Sequence, residues 1–399
     1  MMEKKKNVPV LRFPEFSGEW KQKKLGEVAD IKTGPFGSAL HQSDYVSEGT
    51  PIITVEHLGE LGIVHENLPL VSDFDLKRLK SYLLQTNDIV FSRVGSVDRN
   101  SRISNSENGW LFSGRLLRIR FDDKIIDSAF VSNFFQKETT KQSIRSVAVG
   151  QTMASLNTEI LKGIELYLTI FQEQQKIASI LTSLDNKLQS LKKKKTLLEQ
   201  YKKGMMQKIF SQGLRFKDDN GNEFPKWQKK KISDIFKVTR GNVLSMLLVR
   251  ENINDTNIYP VYSSQTKNKG LSGFYDKYLF ENCITWTTDG ANAGDVNYRI
   301  GKFYCTNVCG VLISDKGYAN LCVSEILNLV SGKYVSYVGN PKLMNNVMSE
   351  IAIVIPASIF EQTKIANFLS AIDNKINLCN AQIEKTEQWK KGLLQKMFV

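Results

Sequence analysis

The chain repeats itself. A helical signature beginning at Phe171 carries Glu173, Gln174, Lys176, Ile177 and Ala178, then Asp185, Asn186 and Lys187, then Lys203, Gly204, Gln207, Lys208 and Phe210. The same residues recur 188 positions later as Glu361, Gln362, Lys364, Ile365 and Ala366, then Asp373, Asn374 and Lys375, then Lys391, Gly392, Gln395, Lys396 and Phe398. The segments preceding the two helices also open alike. Trp20, Lys23, Lys24 and Gly34 answer to Trp227, Lys230, Lys231 and Gly241 at a spacing of 207, and each tryptophan follows a Phe-Pro pair, Phe13-Pro14 or Phe224-Pro225. The fall in offset makes the second globular segment 19 residues shorter than the first. Repetition on this scale means duplicated modules and not a solenoid of short units, with the helices held alike while the heads differ.

Between Phe171 and Phe210 there is no proline, and Ile177, Leu184, Leu191, Leu198 and Met205 fall at every seventh position. A sustained heptad predicts a long helix, about 55–60 Å, packed on another long helix. Its natural partner is its own repeat, whose stripe includes Ile365, Ile372, Ile376 and Leu393. Thr169 with Gln172 and Ser358 with Glu361 have capping-box spacing, and Gly213 suits a C-terminal stop. The Lys192 to Lys195 run interrupts the stripe and reads as a solvated face, with DNA-backbone contact as the alternative.

The heads have a different grain. Thr50 to Val55, Asp88 to Val94, Leu116 to Phe121, Ile258 to Tyr262, Cys283 to Thr287 and Val308 to Ile313 are short β-branched runs bounded by turn residues, which predicts strands. Helical stretches lie between them, at Asp127 to Gln136 and Cys322 to Leu329. The expected fold class is α/β (α+β), two mixed heads and two long helices, divided as 1–170, 171–212, 213–358 and 359–399.

Fifty-four Lys and Arg against 41 Asp and Glu give a net charge of +13. A surplus of that size suits a polyanion, because each phosphate neutralised releases condensed counterions. All five cysteines lie in the second half and all three histidines in the first, which argues against a Cys/His zinc site, and no metal site is expected. The odd cysteine count, with no apolar run after Lys4 to Lys6, points to reduced thiols in a cytoplasmic protein.

Enzyme motifs are missing. The sequence has no GxxxxGK[ST] phosphate loop, no GxGxxG turn, no Asn-Pro-Pro-aromatic tetrapeptide, no GxSxG and no HExxH. Instead the heads carry loops in which basic residues alternate with Gly, Ser and Asn. The first head offers Lys32 and Ser38, then Arg93, Ser96, Arg99 and Arg102, with Arg115, Arg118 and Arg120 nearby, and Gln151 before the helix. The second offers Ser263, Ser264, Lys267 and Lys269, then Asn292. Arginine reads guanine with two hydrogen bonds and Asn or Gln reads adenine, while Ser, Lys and backbone amides hold phosphates. These twelve residues are the candidate DNA contacts, although Gly/Ser/Asn loops also serve simply as turns.

With these residues in view, the chain resembles the specificity subunits of Type I restriction-modification systems. The resemblance spans nearly the whole length: duplicated Phe-Pro and Trp openings, then Glu-Gln-x-Lys-Ile-Ala, Asp-Asn-Lys and Lys-Gly-x-x-Gln-Lys in duplicate. One departure is Leu168, which stands where the second copy has Pro356. The resemblance implies two target recognition domains, each reading half of a bipartite double-stranded DNA site, and an antiparallel coiled-coil helix pair with pseudo-twofold symmetry that sets the gap. It implies a non-catalytic chain that binds no cofactor itself. S-adenosylmethionine, ATP and Mg would belong to partners, namely two modification subunits and the restriction and translocase subunits. Two other readings stay open at this point: a coiled-coil scaffold that binds only proteins, and a self-contained DNA-modifying enzyme.

Overall fold

The computed structural model describes residues 7–35, 39–150, 154–264 and 268–399. The chain divides into two compact units, Met1–Lys194 with Cys379–Val399, and Lys195–Leu378. This division passes through both long helices. Each unit therefore takes half of both helices into its own core.

In the first unit, strands Ala29–Thr33, Leu116–Phe121, Ile89–Ser92 and Asn100–Arg102 form an antiparallel sheet in that order. Alternation along the strands gives the sheet two apolar faces. Ile89, Phe91, Leu117 and Ile119 meet Phe130, Val131 and Phe135 of the helix Ser128–Gln136, whereas Val90, Leu116 and Ile103 turn to Ile53 and Phe112. The latter two belong to a smaller sheet, ordered Leu111–Phe112, Thr50–Ile53, Leu70–Val71, Tyr45–Val46.

In the second unit the sheet has six strands, ordered Lys237–Arg240, Cys309–Ile313, Phe280–Thr287, Val296–Cys305, Tyr259–Tyr262, Leu271–Tyr275. Ile284, Trp286 and Leu312 pack under Val323 and Leu327 of the helix Leu321–Ser331. The repeat survives in the entry strands: Lys21–Lys24 pairs antiparallel with Glu165–Leu168, and Gln228–Lys231 does the same with Ala352–Ile355.

The long helices run over Phe171–Phe210 and Ile359–Met397. Their expected seam residues are distributed between the units. Ile177 lies in the first core with Leu394, Met397 and Phe398, and Leu393 packs at its edge. Ile365 lies in the second core with Ile209, and Met205 packs at its edge. Leu184 and Ile372 are buried, whereas Leu191, Leu198 and Ile376 are half-buried. Within the first unit Asp185 meets Lys390, and Lys192 meets Glu387 at 2.8 Å, so the two helix segments there are antiparallel. Within the second, Lys202 lies 2.9 Å from Asp373. Asp185 and Asp373, like Lys202 and Lys390, are repeat counterparts, so the duplication makes one inter-helix ion pair twice. In the Lys run, Lys195 approaches Glu199 at 3.8 Å, and Lys193 and Lys194 are exposed.

The helix starts differ from the expected capping boxes. The Thr169 hydroxyl donates to the Glu173 carboxylate instead of capping toward Gln172. Glu173 and Glu361, both fully buried, take a guanidinium each: Arg12 donates to Glu173 at 2.8 Å through two nitrogens, and Arg215 donates to Glu361 at 2.9–3.1 Å. Gln174 donates to the Thr169 carbonyl and accepts from the Asp127 backbone, while Gln362 donates to the Pro356 carbonyl and accepts from Asn320. The repeated Glu-Gln pair is thus the joint that seats each helix on its head. At the far end of the central helix, Gln212 (φ 61°) takes the left-handed position expected of Gly213.

Candidate nucleic-acid interface

One end of each head gathers its loops, and the same four backbone hydrogen bonds build both ends. In the first head, Gly34 N–H donates to Leu116 O, Arg93 to Arg115 O, Leu156 to Arg93 O and Gly95 to Ala154 O. In the second, Gly241 donates to Cys309 O, Thr288 to Val308 O, Leu343 to Thr288 O and Gly290 to Pro341 O. The first bond of each set explains the duplicated glycine. A Cβ at Gly34 would overlap the Ser113 carbonyl oxygen, and one at Gly241 the Cys305 carbonyl oxygen, so no other residue lets the backbones approach so closely. The scaffold is kept while the side chains on it change: Arg93 answers to Thr288, and Arg115 to Val308.

Of the candidates in the first head, Arg93, Ser96 and Arg99 sit at this loop end. Arg93 is half-buried and donates to Gly114 O at 3.3 Å; Ser96 and Arg99 are exposed, and the Arg99 guanidinium reaches Leu58 O. Arg102 is not with them. It opposes Ile89 at the other end of the strand pair, donates to Asn87 Oδ1 at 2.9 Å, and borders a cleft of about 400 Å³ that also touches Asp185 and Lys390. Lys32 is already engaged, donating to Ser81 O at 2.9 Å and lying 4.2 Å from the Tyr82 ring centre. Burial, reinforced by Arg118, lowers its pKa. Ser38, Gln151 and Lys267 lie outside the described residues.

In the second head, Ser263 and Ser264 are half-buried and Lys269 is exposed. The Ser263 hydroxyl accepts from Thr306 at 2.9 Å, and Ser263 N–H donates to Gly270 O, closing the loop. Beneath it lies Arg299, 8% exposed, whose guanidinium carbon is 3.7 Å from the Tyr262 ring centre. It donates to Thr285 Oγ1 at 3.0 Å and to the Lys269 carbonyl at 2.7 Å, and burial lowers its pKa against the opposing pull of Tyr262 and Cys309. Arg299 thereby holds Lys269 at the surface. Asn292 is half-buried in the loop after Phe280–Thr287, where its carbonyl accepts from Asp295 N–H.

Three features escaped the candidate set. Arg115 is exposed beside Arg93, whereas Arg118 and Arg120 are consumed by ion pairs with Asp30 and Asp88. Arg240 ends its strand at the loop end with buried Nε and Nη2 atoms that have no partner among the described residues. The third is a small hairpin, Ser336 to Lys342, bonded to the Thr288 and Gly290 loop. Its sequence signal was the Gly339-Asn340-Pro341 turn, which precedes Leu343, the residue that answers to Leu156 at a spacing of 187. Among the described residues no group of His, Cys, Asp and Glu could hold a metal ion, and no helix is long and apolar enough to cross a membrane.

Comparison with known proteins agrees with this geometry. The family model for the Type I restriction modification DNA specificity domain matches twice, over residues 17–200 and 225–388. A putative type I specificity subunit N-terminus of Mycoplasma pneumoniae is 41% identical over 143 residues, covering 35% of this chain and 74% of that protein. A putative type I restriction enzyme specificity subunit of Methanocaldococcus jannaschii is 25% identical over 98% of this chain and 95% of its own length. Among solved structures, the S subunit of a type I restriction-modification system from M. genitalium shares the fold with a TM-score of 0.72 at 17% identity, covering 98% of this chain and 99% of that one. Two matched copies of the domain, spanning most of the chain, leave one conclusion: this protein belongs to the Type I restriction-modification DNA specificity family.

Proposed function

We propose that this chain is the DNA sequence-recognition subunit of a Type I restriction-modification complex and carries no catalysis of its own. Each head reads one half of a bipartite double-stranded site through its loop end, and the long helices set the spacing between halves. The observation that carries this reading is the set of four backbone hydrogen bonds repeated in both heads under different side chains. A constant scaffold with variable side chains is what reading two different half-sites requires, and a net charge of +13 supplies the affinity for phosphates.

The same helices dock two modification subunits, which bind S-adenosylmethionine; ATP and Mg act in the restriction and translocase subunits. Support for a partner present twice comes from exposed residues that repeat although nothing inside the chain demands it. Tyr201 and Trp389 are counterparts, 51% and 57% exposed. Gly204 and Gly392 follow three residues later, and a Cβ at either would meet nothing within 4 Å. A glycine inside a helix costs about 1 kcal/mol relative to alanine, so its duplication suits a second helix approaching closely from outside. A protein-only scaffold would leave the duplicated loop ends without a use.

The test is to map modified adenines in a host with and without the gene. A bipartite motif that disappears with the gene supports the proposal, and an unchanged adenine map overturns it.

A further inference from the structure

The hairpin at the loop end of the second head is built as a rigid pedestal with an apolar tip. Ser336 N–H donates to Lys342 O at 2.8 Å and Lys342 N–H returns a bond to Ser336 O at 2.9 Å. Below these, Gly290 N–H donates to Pro341 O, Leu343 N–H donates to Thr288 O, and the Leu343 carbonyl accepts from the buried Trp286 indole at 2.9 Å. Gly339 takes a positive φ of 76° and turns the chain. At the tip Tyr337 is 71% exposed and Val338 92% exposed. A hairpin needing only to reverse direction would carry polar residues there; these two are held in water by a backbone with little freedom to fold them away. The chain from Gly332 to Ser349 contains no Asp or Glu, carries Lys333 and Lys342, and adds the partly exposed Tyr334. Lys342 lies 3.9 Å from Asp289.

We propose that this hairpin is a DNA wedge: Tyr337 and Val338 enter the groove of the half-site read by the second head and partly unstack one base step, flanked by Lys333 and Lys342 on the phosphates. The inference rests on the DNA-reading role proposed above. Apolar side chains inserted at a base step bend and unstack the duplex, and the extra contacts made with the deformed DNA offset the unstacking. Pre-organisation favours this, because a tip already fixed by its pedestal loses little freedom on binding. In the first head Val149 and Ser155 exchange the same two backbone bonds at 3.0 and 2.8 Å, with Val149 in the place of Ser336, so the pedestal is shared and the Tyr337–Val338 tip is particular to the second head's sequence.

The full chain, co-expressed with its modification subunits, is used to select its site from a random duplex pool. 2-Aminopurine is then placed at each position of the recovered site in turn. Apart from the target adenines that the modification subunits flip out, wild type brightens the fluorophore several-fold at one step, in one half-site only. The Tyr337→Ser/Val338→Ser variant removes that signal and weakens binding on the order of tenfold, while the other half-site still selects the same bases. Both positions are exposed, so the variant keeps its fold, which far-UV circular dichroism verifies. A recovered site in which no position other than those target adenines brightens, or a double variant with unchanged brightening and affinity, overturns the wedge alone. Failure to enrich any duplex overturns the DNA-reading role together with it.

Discussion

The joint between head and helix makes a prediction that runs against simple pair counting. Glu173 and Arg12 form a bidentate pair at 2.8 Å, but their side chains are unequally covered, with the arginine 13% exposed and the glutamate 0%. Removing either partner does not have the same cost. Arg12→Met leaves a carboxylate sealed from water with only the Thr169 hydroxyl, and breaking a buried pair in that way costs about 3–5 kcal/mol. Glu173→Gln keeps the shape and leaves a guanidinium that still donates to Ser17 O at 3.0 Å and has some access to solvent, for a loss of about 1–2 kcal/mol. Replacing both by methionine removes the buried charge altogether and restores most of what Arg12→Met loses. Urea unfolding of the full chain, followed by tryptophan fluorescence, measures the order directly. With a slope of about 2 kcal/mol per molar urea, the Arg12 variant shifts the first unit's midpoint down by about 1.5–2.5 M and the Glu173 variant by less than about 1 M. Equal shifts, or a larger one for Glu173→Gln, would refute the argument from burial.

Three further outcomes follow from the geometry. Arg99→Ala weakens DNA binding and flattens its salt dependence by about one unit of slope, whereas Arg102→Ala leaves both unchanged; a gel-shift titration against salt separates them. Gly204→Leu with Gly392→Leu raises the stability of the isolated chain, since leucine is the better helix former by about 0.8 kcal/mol per site, yet abolishes co-purification with modification subunits; undiminished co-purification removes that helix face from the interface. Glu107 is buried, which pushes its pKa up, but bonds from Ser104, Ser106 and His65 outweigh this and hold it below the ordinary carboxylate value. Its folded pKa lies below its unfolded one, so its contribution is present above the unfolded value and lost as pH falls through the folded one. Glu107→Gln should therefore flatten the loss of stability below about pH 4.5 in acid titrations of the first unit.

The regular elements were legible because each had a local signal. Leu116–Phe121 and Phe171–Phe210 have the bounds that the short apolar run and the heptads indicated, and Asp127 caps Ser128–Gln136 by accepting from Phe130 N–H at 2.9 Å, so that helix starts one residue inside the expected stretch. What stayed hidden depended on long-range partners. Thr169 and Gln172 have capping spacing, but Arg12, 161 residues before Glu173, claims the joint instead. Arg93, Arg99 and Arg102 are neighbours in sequence, and only the antiparallel pairing of Asn100–Arg102 with Ile89–Ser92 carries the third to the opposite strand end. The Ser336 to Lys342 hairpin has no basic run to advertise it; its place becomes visible through bonds to Thr288 and Gly290, more than fifty residues away.

The central claim is that the heads read independently on a shared scaffold, and exchanging one head tests it most directly. Residues 23–168 are replaced by the corresponding segment of a related subunit, keeping Arg12, the entry residues and both long helices, and modified adenines are mapped in cells carrying the chimera. In the chimera one half of the methylated motif changes while the other half and the spacer length are retained. A change in both halves at once, or in the spacer, would contradict it.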